Sequence, residues 1–366
     1  MEPAPAAQTQ HQFPCRQCGA NLQYAPGTDT LVCPYCGAKN EIPKPAGAVE
    51  EIDYLSHLND LCRDAACHDQ ITVKCTACAA ETTLPPDTTA ARCPFCGSPI
   101  VATASSKRVI TPGSLLPFRV PREQATTLFR GWIASRWFAP GDLVRLAEAD
   151  ALIKGVYIPA WTYDADAESS YTGERGDDYW ETETYTEYVN GKAETRTRQV
   201  LRTRWWPVSG RVSNEFDDVL VLASNSLPRK YADALEPWDT KALVPYGDEY
   251  LSGFLAESYQ VDLPSGFERA KQIMAGVIHQ TICRDIGGDH QRVNNVNTRY
   301  DHVTFKHILL PVWISAYRYQ GRPYRFLVNA RTGEIQGERP YSVFKIVMLI
   351  VTILAVLAAV FFLTQR

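Results

Sequence analysis

The sequence predicts an α+β protein with two small cysteine-bearing modules at its N-terminal end, a mixed helix and antiparallel-sheet domain, and one apolar helix at its C-terminal end. Three observations predict this class. Cys-x-x-Cys pairs recur at one spacing near the start, helical and strand-like patterns alternate through residues 107–340, and an unbroken apolar run follows. With 366 residues, 45% of them hydrophobic, and a net charge of −4, the chain has room for two or three domains.

The cysteine pairs have a repeated spacing. In each module fourteen residues separate two Cys-x-x-Cys pairs, and the second module begins 60 residues after the first. Each pair directs two thiolates towards one point, and two pairs complete a tetrahedron around Zn²⁺. We therefore predict two zinc ribbons with structural Zn²⁺ sites, without an open coordination position for catalysis. The predicted ligands are Cys15, Cys18, Cys33 and Cys36, then Cys75, Cys78, Cys93 and Cys96.

Eleven cysteines leave Cys62, Cys67 and Cys283 outside these two sets. An odd remainder, together with Cys-x-x-Cys pairing, favours a reducing compartment over a disulfide framework. Because His68 follows Cys67, a further metal or redox role stays open, but the pattern favours plain thiols on a linker.

The chain divides into segments by composition. We predict a disordered tail at 1–12, zinc ribbon 1 at 13–42, a linker with a short helix at 43–71, zinc ribbon 2 at 72–102, an α+β domain at 107–340 and a transmembrane helix at 343–363. In the linker helix, apolar residues recur every three positions at Ile52, Leu55, Leu58 and Leu61. Each ribbon is expected to fold around its own metal, independently of the larger domain.

The α+β domain contains two longer helical patterns and two similar strands. Helices are predicted at Pro121–Phe138, with a shorter one at Asp142–Glu148, and at Pro264–Ile286. The strands that follow them share a Pro-x-Trp sequence, at Pro159–Trp161 and Pro311–Trp313. This likeness suggests a degenerate duplication of a helix-plus-sheet unit, with both tryptophans as core anchors.

A β-hairpin can be predicted to its register at 177–206. Asn190-Gly191 favours a two-residue type I′ turn. Counting outwards, the predicted opposite pairs are Val189 with Lys192, Thr186 with Thr195, Thr184 with Thr197, Glu183 with Arg198, and Trp180 with Leu201. Because neither face is apolar enough for a core, we expect a β-arm that projects into solvent, as a solvated decoration or as a docking arm.

Basic residues accompany a later pair of strands around Gly321. These are Arg318, Arg322, Arg325 and Arg331. Their side chains are expected either to be solvated or to face lipid headgroups.

The apolar run Ile346–Leu363 contains Thr352 as its only polar side chain. As a helix it would be about 27 Å long, which is close to the thickness of a bilayer's hydrocarbon core. The sequence therefore predicts a single-pass tail anchor, and the polar N-terminus shows no signal peptide. Because Arg339 and Lys345 precede the run, the N-terminal domains are expected in the cytoplasm.

Catalytic motifs are missing from the sequence. There is no phosphate-binding G-x-x-x-x-G-K-[ST] loop, no H-E-x-x-H and no G-x-S-x-G. The histidines of the second half are scattered without ligand spacing. We therefore expect a protein that is not an enzyme.

The tandem cysteine pairs, Leu116-Pro117-Phe118, the two Pro-x-Trp strands and the final apolar span together resemble a family of bacterial membrane-anchored tandem zinc-ribbon proteins. Its members are poorly characterised and often carry the names primosomal protein N′, the replication-restart helicase, or transcription factor IIB-type zinc ribbon. The resemblance covers nearly the whole chain, but only the cysteine motifs are specific, and helicase motor motifs are missing here. It implies a role at the bacterial inner membrane in envelope maintenance or stress.

Two functions follow from these features. The first is a membrane-tethered, cytosol-facing adaptor that recruits protein partners to the inner membrane. The second is a nucleic-acid-binding zinc-ribbon protein linked to replication or transcription. Residues 1–104 contain six Lys and Arg against eleven Asp and Glu, a net charge of −5, and this charge repels phosphate. The sequence therefore favours the adaptor; a zinc or thiol sensor is a third class, kept open by Cys62 and Cys67.

Overall fold

The computed structural model of the protein describes residues 13–43, 47, 49–61, 67–76, 80–82, 90–96, 98–101, 104–140, 153–189, 192–320 and 322–364. Several predictions fall outside these ranges, namely the tail at 1–12, the helix at Asp142–Glu148, the turn at Asn190-Gly191, and Cys62 and Cys78. Within them the fold is α+β, as predicted, with helices packed on a mainly antiparallel sheet.

The helices are α1 (Tyr54–Leu61), α2 (Arg122–Ala134), α3 (Arg229–Asp233), α4 (Asp248–Leu251), α5 (Leu263–Ile286) and α6 (Val343–Thr364). The strands are β1 (Gln23–Tyr24), β2 (Thr30–Val32), β3 (Lys39–Glu41), β4 (Ile52–Asp53), β5 (Cys67–Lys74), β6 (Glu81–Thr82), β7 (Ala90–Arg92), β8 (Pro99–Val101), β9 (Ala104–Ile110), β10 (Ser114–Leu115), β11 (Lys154–Val189), β12 (Lys192–Leu222), β13 (Val244–Pro245), β14 (Leu255–Ala256), β15 (His290–Tyr319), β16 (Arg322–Asn329) and β17 (Ile335–Gly337). Three small sheets hold β1–β2–β3, β6–β5–β9 and β7–β8, and the other strands form one nine-stranded sheet.

Three long strands, β12, β11 and β15, lie side by side in the nine-stranded sheet. Strand β11 pairs antiparallel with both neighbours, and its register with β15 shifts at Thr172/Gly173. A Cβ at Gly173 would overlap the carbonyl oxygen of Arg292, so this irregular position requires glycine. The two Pro-x-Trp segments lie in adjacent strands, where Trp161 and Trp313 are buried as predicted.

Helix α5 covers one face of this sheet and confirms the predicted helix to within one residue at its start. The Asp262 carboxylate accepts a hydrogen bond from the Ser265 N–H at 2.8 Å and caps the N-terminus, while Gly287, with φ of +64°, ends the helix. Its buried face includes Phe267, Ala270, Met274, Ile278 and Ile282. Ile273 and Val277 belong to the same helical pattern but lie outside, with 50% and 42% of their surface exposed.

Helix α1 buries a different face from the one that its apolar spacing indicates. In α1, Tyr54 and His57 are buried, whereas Leu55 is 67% exposed, because pairing of β4 with β15 sets the direction in which the helix leaves the sheet. In α2, Phe129 is buried and stacks on Phe326, with ring centroids 3.5 Å apart. This helix ends at Ala134, four residues before its predicted end at Phe138.

The first cysteine-bearing module packs directly on the α+β domain. Its strands β1–β3 form a small sheet, and Tyr24 in β1 makes two contacts outside it. The Tyr24 N–H donates to the Ser252 carbonyl at 2.9 Å, and the Tyr24 hydroxyl donates to the Phe118 carbonyl at 3.3 Å. Tyr24, Leu31 and Cys33 therefore share a buried hydrophobic cluster with Phe118 and Trp313.

The second module packs on the same sheet at another place. Strand β5 begins at Cys67, ahead of the predicted start of ribbon 2, and pairs with β9 up to Ile110. The Thr82 hydroxyl donates to the Ala256 carbonyl at 3.4 Å. A buried hydrophobic cluster joins Cys75, Cys93, Phe95 and Cys96 to residues of β11 and β15, namely Val156, Ile158, Val312 and Ile314.

The β-arm is the part of β11 and β12 beyond Gly176, where pairing with β15 ends. All five predicted pairs, from Val189 with Lys192 to Trp180 with Leu201, are observed, so the predicted register is confirmed. Thirteen residues of β11 follow Gly176, which corresponds to an arm about 40 Å long. Most of its described side chains are exposed, as predicted.

Of the four basic residues that were expected to be solvated or to face lipid, Arg325 and Arg331 have described side chains. Arg331 is only 13% exposed; it donates to the Pro117 carbonyl at 3.3 Å and pairs with Asp239 at 3.3 Å. Arg325 donates to the Ser226 carbonyl at 3.4 Å. Both guanidinium groups therefore make hydrogen bonds within the protein, and neither side chain is fully exposed.

Candidate metal centres

The first cysteine cluster is formed by two turns of the same conformation. At the first turn the Gly19 N–H donates to the Cys15 carbonyl at 2.9 Å, and at the second the Gly37 N–H donates to the Cys33 carbonyl at 3.0 Å. Both glycines have φ of +74°, which is favourable only without a side chain. The repeated turn explains why glycine follows both Cys-x-x-Cys pairs.

The four sulfur atoms of Cys15, Cys18, Cys33 and Cys36 lie within 4.8 Å of one another. The Sγ atoms of Cys15 and Cys36 are 3.6 Å apart, and those of Cys18 and Cys33 are 3.5 Å apart. Four thiolates at about 2.3 Å from one Zn²⁺ in a tetrahedron would be about 3.8 Å apart. The cluster therefore has the donor atoms and the dimensions to hold a metal ion.

Backbone N–H groups favour the thiolate form of the first cysteine in each turn. Those of Gln17 and Cys18 lower the pKa of the Cys15 thiol, and those of Cys36 and Tyr35 lower the pKa of Cys33 to about 6. At Cys36 the Ala38 N–H also acts to lower the pKa, but the neighbouring Cys33 and burial raise it to about 12. A bound dication would offset this repulsion between thiolates and favour deprotonation of the whole set.

The second cluster contains Cys75, Cys93 and Cys96 among the described residues, and Cys78 lies outside them. The Sγ atoms of Cys75 and Cys96 are 3.6 Å apart, as in the first cluster. The N–H of Cys75 donates to the Ala80 carbonyl at 2.8 Å, which repeats the bond between Cys15 and Ala20 at 2.7 Å. This cluster could hold a metal ion too.

The two clusters differ in exposure. In the first, Cys18 and Cys36 are exposed, and Tyr35 between the last two ligands is 83% exposed. In the second, all three described cysteines are buried, and Phe95, at the position equivalent to Tyr35, is completely buried. The first cluster is therefore open on the side of Cys18 and Cys36, although Cys15 and Cys33 are buried, whereas all described ligands of the second lie in a hydrophobic core.

A third group of candidate ligands, Asp164, Asp217 and Asp218, was not predicted. The buried Lys306 ammonium lies 2.8 Å from the Asp218 carboxylate, 3.5 Å from that of Asp164 and 3.0 Å from that of Glu51. An ammonium among these oxygens already supplies the positive charge that a metal ion would bring. We interpret the group as a structural ion cluster, and its members are too far apart in sequence for any spacing pattern to reveal it.

Lys306→Met is expected to lower the unfolding free energy by about 3 kcal/mol, because it leaves partly buried carboxylates without their cation. Burial raises the pKa of Asp164, and Lys306 acts to lower it, so the substitution raises it further. A carboxyl whose folded-state pKa lies above its unfolded-state value destabilises the fold once it ionises, so the penalty should be larger at pH 7 than at pH 4. Denaturant unfolding at both pH values measures this difference.

Lys271→Met is the matched control, because Lys271 pairs with the exposed Glu268 within one helix turn. It should change the unfolding free energy by less than about 1 kcal/mol at either pH. Equal effects of the two substitutions would contradict a structural role for the Lys306 cluster.

The fold and the cysteine geometry define an α+β protein with two cysteine clusters that could hold metal ions. One helix of the described chain, α6, is long and apolar enough to cross a membrane.

Over 240 residues the chain is 27% identical to the uncharacterised protein YdjG of Bacillus subtilis (strain 168), a match that covers 64% of this chain and 65% of that protein. The chain thus spans slightly less than two thirds of that relative. No family model and no solved structure match the chain.

Proposed function

We propose that this protein is a membrane-tethered adaptor in which two zinc ribbons and the β-arm face the bacterial cytoplasm and recruit protein partners to the inner membrane. The sulfur geometry of the first cluster fits Zn²⁺, which would act as a structural cross-link there. The apolar helix α6 would serve as the membrane anchor. The envelope role implied by the resemblance to membrane-anchored zinc-ribbon proteins is part of this proposal.

The orientation in this proposal rests on two features. Arg339 and Lys345 lie next to the N-terminal end of the apolar helix, and positive charges favour the cytoplasmic side. Thiolate ligands also persist best in a reducing compartment. Both features favour a cytoplasmic location for the domains that precede α6.

A duplicated helix-plus-sheet unit is the finer architecture that we propose for residues 107–340. Its two Pro-x-Trp segments lie antiparallel in neighbouring strands, where Ile158 is opposite Leu310. The Trp161 indole donates to the Val261 carbonyl at 2.9 Å, and the Trp313 indole donates to the Val120 carbonyl at 2.8 Å. Similar roles for the two tryptophans support a common origin of the segments.

The chemical difference between the two faces of the β-arm is the observation that carries the adaptor function. Opposite residues of an antiparallel pair lie on one face. Beyond Asp178, one face of the arm, here called the uncharged face, carries Trp180 and Leu201, Thr182 and Gln199, Thr184 and Thr197, Thr186 and Thr195, and Tyr188 and Ala193. Trp180 is 66% exposed, Tyr188 77% and Leu201 51%.

The other face carries most of the arm's charge, in ion pairs. Arg198 bonds Glu183 at 3.0 Å, Arg196 bonds Glu187 at 2.7 Å, and Arg202 bonds both Glu181 and Glu183. Because these arginines are already paired within the arm, the charged face is poorly suited to bind phosphate. The uncharged face, with exposed aromatic side chains on a rigid support, matches the composition of protein interfaces.

Affinity capture from detergent-solubilised membranes tests the proposal, with the full chain as bait and half of each sample treated with nuclease. We expect Trp180→Thr/Tyr188→Thr to lose protein partners that the wild type retains, because exposed aromatic side chains dominate binding energy at interfaces. Threonine preserves the strand preference of both positions.

Tyr185→Thr is the matched control, since Tyr185 lies in the same strand on the charged face and is 38% exposed. It should retain the partners. Loss of the same partners from both variants would contradict docking on the uncharged face, and loss on nuclease treatment alone would favour nucleic-acid binding instead.

A further inference from the structure

The turn that follows α2 contacts the start of the apolar helix α6. The Ser342 N–H donates to the Phe138 carbonyl at 2.7 Å, and the Lys345 ammonium donates to the Ala139 carbonyl at 2.8 Å. Ser342 directly precedes α6, and its carbonyl accepts the hydrogen bond of Ile346 at 3.2 Å. The α+β domain is therefore held against the end of the helix by two hydrogen bonds rather than only by the chain itself.

Exposed aromatic side chains surround this contact. Trp137, in the turn, is 76% exposed, more than Trp180 at 66%, although the tryptophans of the core are almost fully buried. Tyr341, one residue before Ser342, is 59% exposed, and Phe344 in the first turn of α6 is 73% exposed. Trp and Tyr are favoured at the boundary between lipid headgroups and hydrocarbon, where the ring is buried and its polar atom stays hydrated.

Basic side chains lie within three residues of the contacting residues along the chain. Arg339 stacks over the Tyr341 ring, with its guanidinium carbon 5.4 Å from the ring centroid. Arg136 stacks over Trp132 at 4.9 Å. Lys345, in the first turn of α6, is the third cation. The acidic Glu338 beside them accepts a hydrogen bond from the Arg325 N–H at 3.3 Å and so faces the sheet.

We propose that Trp137, Tyr341, Arg136, Arg339 and Lys345 form an interfacial collar that docks the α+β domain on anionic phospholipid. The collar rests on the proposed membrane-spanning role of α6, because that helix places these residues at headgroup depth. At 22 residues α6 is about 33 Å long, slightly more than the thickness of the hydrocarbon core, so its first turn with Lys345 and the residues just before it would lie among the headgroups. Positive charge near the surface attracts anionic headgroups, and the aromatic rings insert between them.

Quenching of tryptophan fluorescence by brominated lipid tests the collar in the full-length protein. The protein is reconstituted into vesicles of equimolar phosphatidylcholine and phosphatidylglycerol, with bromine close to the headgroup or deep in the acyl chain. Helix α6 contains no tryptophan, so quenching reports on the domain outside it. We expect shallow bromines to quench the wild type, and Trp137→Phe to lose most of this quenching, whereas the matched variant Trp180→Phe should retain it.

The charge component is tested with Arg136→Gln/Arg339→Gln in the same vesicles and in phosphatidylcholine alone. The wild type should be quenched at least about twofold more in anionic vesicles, and the double variant should lose this preference. Arg204→Gln is the control, because Arg204 stacks on Tyr179 in the arm, away from α6.

Vesicle flotation in alkaline carbonate, applied to each sample, separates the collar from the anchor. If the wild type and Trp137→Phe both float and are quenched equally, the collar is contradicted and the membrane anchor is still supported. Quenching of Trp137 by deep bromines only would also contradict a headgroup location. If the wild type does not float, the membrane anchor is contradicted, and so is the collar, because it depends on the anchor.

Discussion

Cys75→Ser in the full-length protein is expected to remove one of two bound zinc ions and to lower the unfolding free energy by more than about 4 kcal/mol. Metal analysis and denaturant unfolding in detergent measure the two effects. The sequence predicts a ribbon that unfolds alone, but the structure leads us to expect more. Cys75 is 1% exposed and shares a hydrophobic cluster with Val156, Val312 and Ile314 in the central strands, so loss of this metal should weaken the sheet itself.

Cys18→Ser is the matched comparison, because Cys18 belongs to the first cluster and is exposed. It should also remove one zinc ion, but with a smaller loss of stability, since water can solvate the altered side chain. If the wild type contains fewer than two zinc ions per chain, one of the two proposed zinc ribbons is contradicted. If the two variants lower the unfolding free energy equally, burial of the second cluster does not explain how its metal stabilises the sheet.

Deletion of residues 342–366 is expected to move nearly all of the protein from the membrane fraction to the soluble fraction. The described part of α6 is mostly exposed and, apart from Lys345, Thr352 and Thr364, its side chains are apolar, so bilayer insertion is the favourable way to bury it. Fractionation followed by alkaline extraction measures the change. The truncated protein keeps Trp137, Tyr341, Arg136 and Arg339 of the collar and loses Lys345, so it should still bind anionic vesicles weakly and dissociate from them at high salt.

A leucine run of equal length in place of Ile346–Leu363 is the control for this deletion. It keeps the length and apolar character of the run while changing 14 of its 18 side chains, and it should retain membrane association. Truncated protein that stays in the carbonate-resistant membrane fraction would contradict the anchor.

Sequence patterns predicted best those features that depend on neighbouring residues. The Asn190-Gly191 pattern predicted the pairs from Val189 with Lys192 outwards, and the apolar spacing before Gly287-Gly288 predicted α5 to within one residue at its start. The cysteine spacing likewise predicted which thiols meet in the first cluster. Each of these signals acts over a few residues, or through one repeated turn.

Features that depend on docking between distant segments were not predictable in this way. Lys306 meets Glu51 from 255 positions away, and Tyr24 donates to Phe118 from 94 positions away. Helix α5 shows the same limit, because Ile273 and Val277 fit its apolar spacing but lie beyond the width of the sheet that the helix covers. Spacing indicates which residues share a face of a helix, but only tertiary packing decides how much of that face is buried.

Strand β12 also has a consequence for solubility. Over 31 residues it pairs only with β11 among the described residues, so it leaves a long row of backbone N–H and C=O groups open to other chains. Open edges of this kind promote aggregation, and proteins counter it with charge on the edge strand. The outer half of β12 carries such charge, at Lys192, Glu194, Arg196, Arg198, Arg202 and Arg204. Because these charges oppose edge-to-edge pairing, we expect their removal to increase aggregation of the protein.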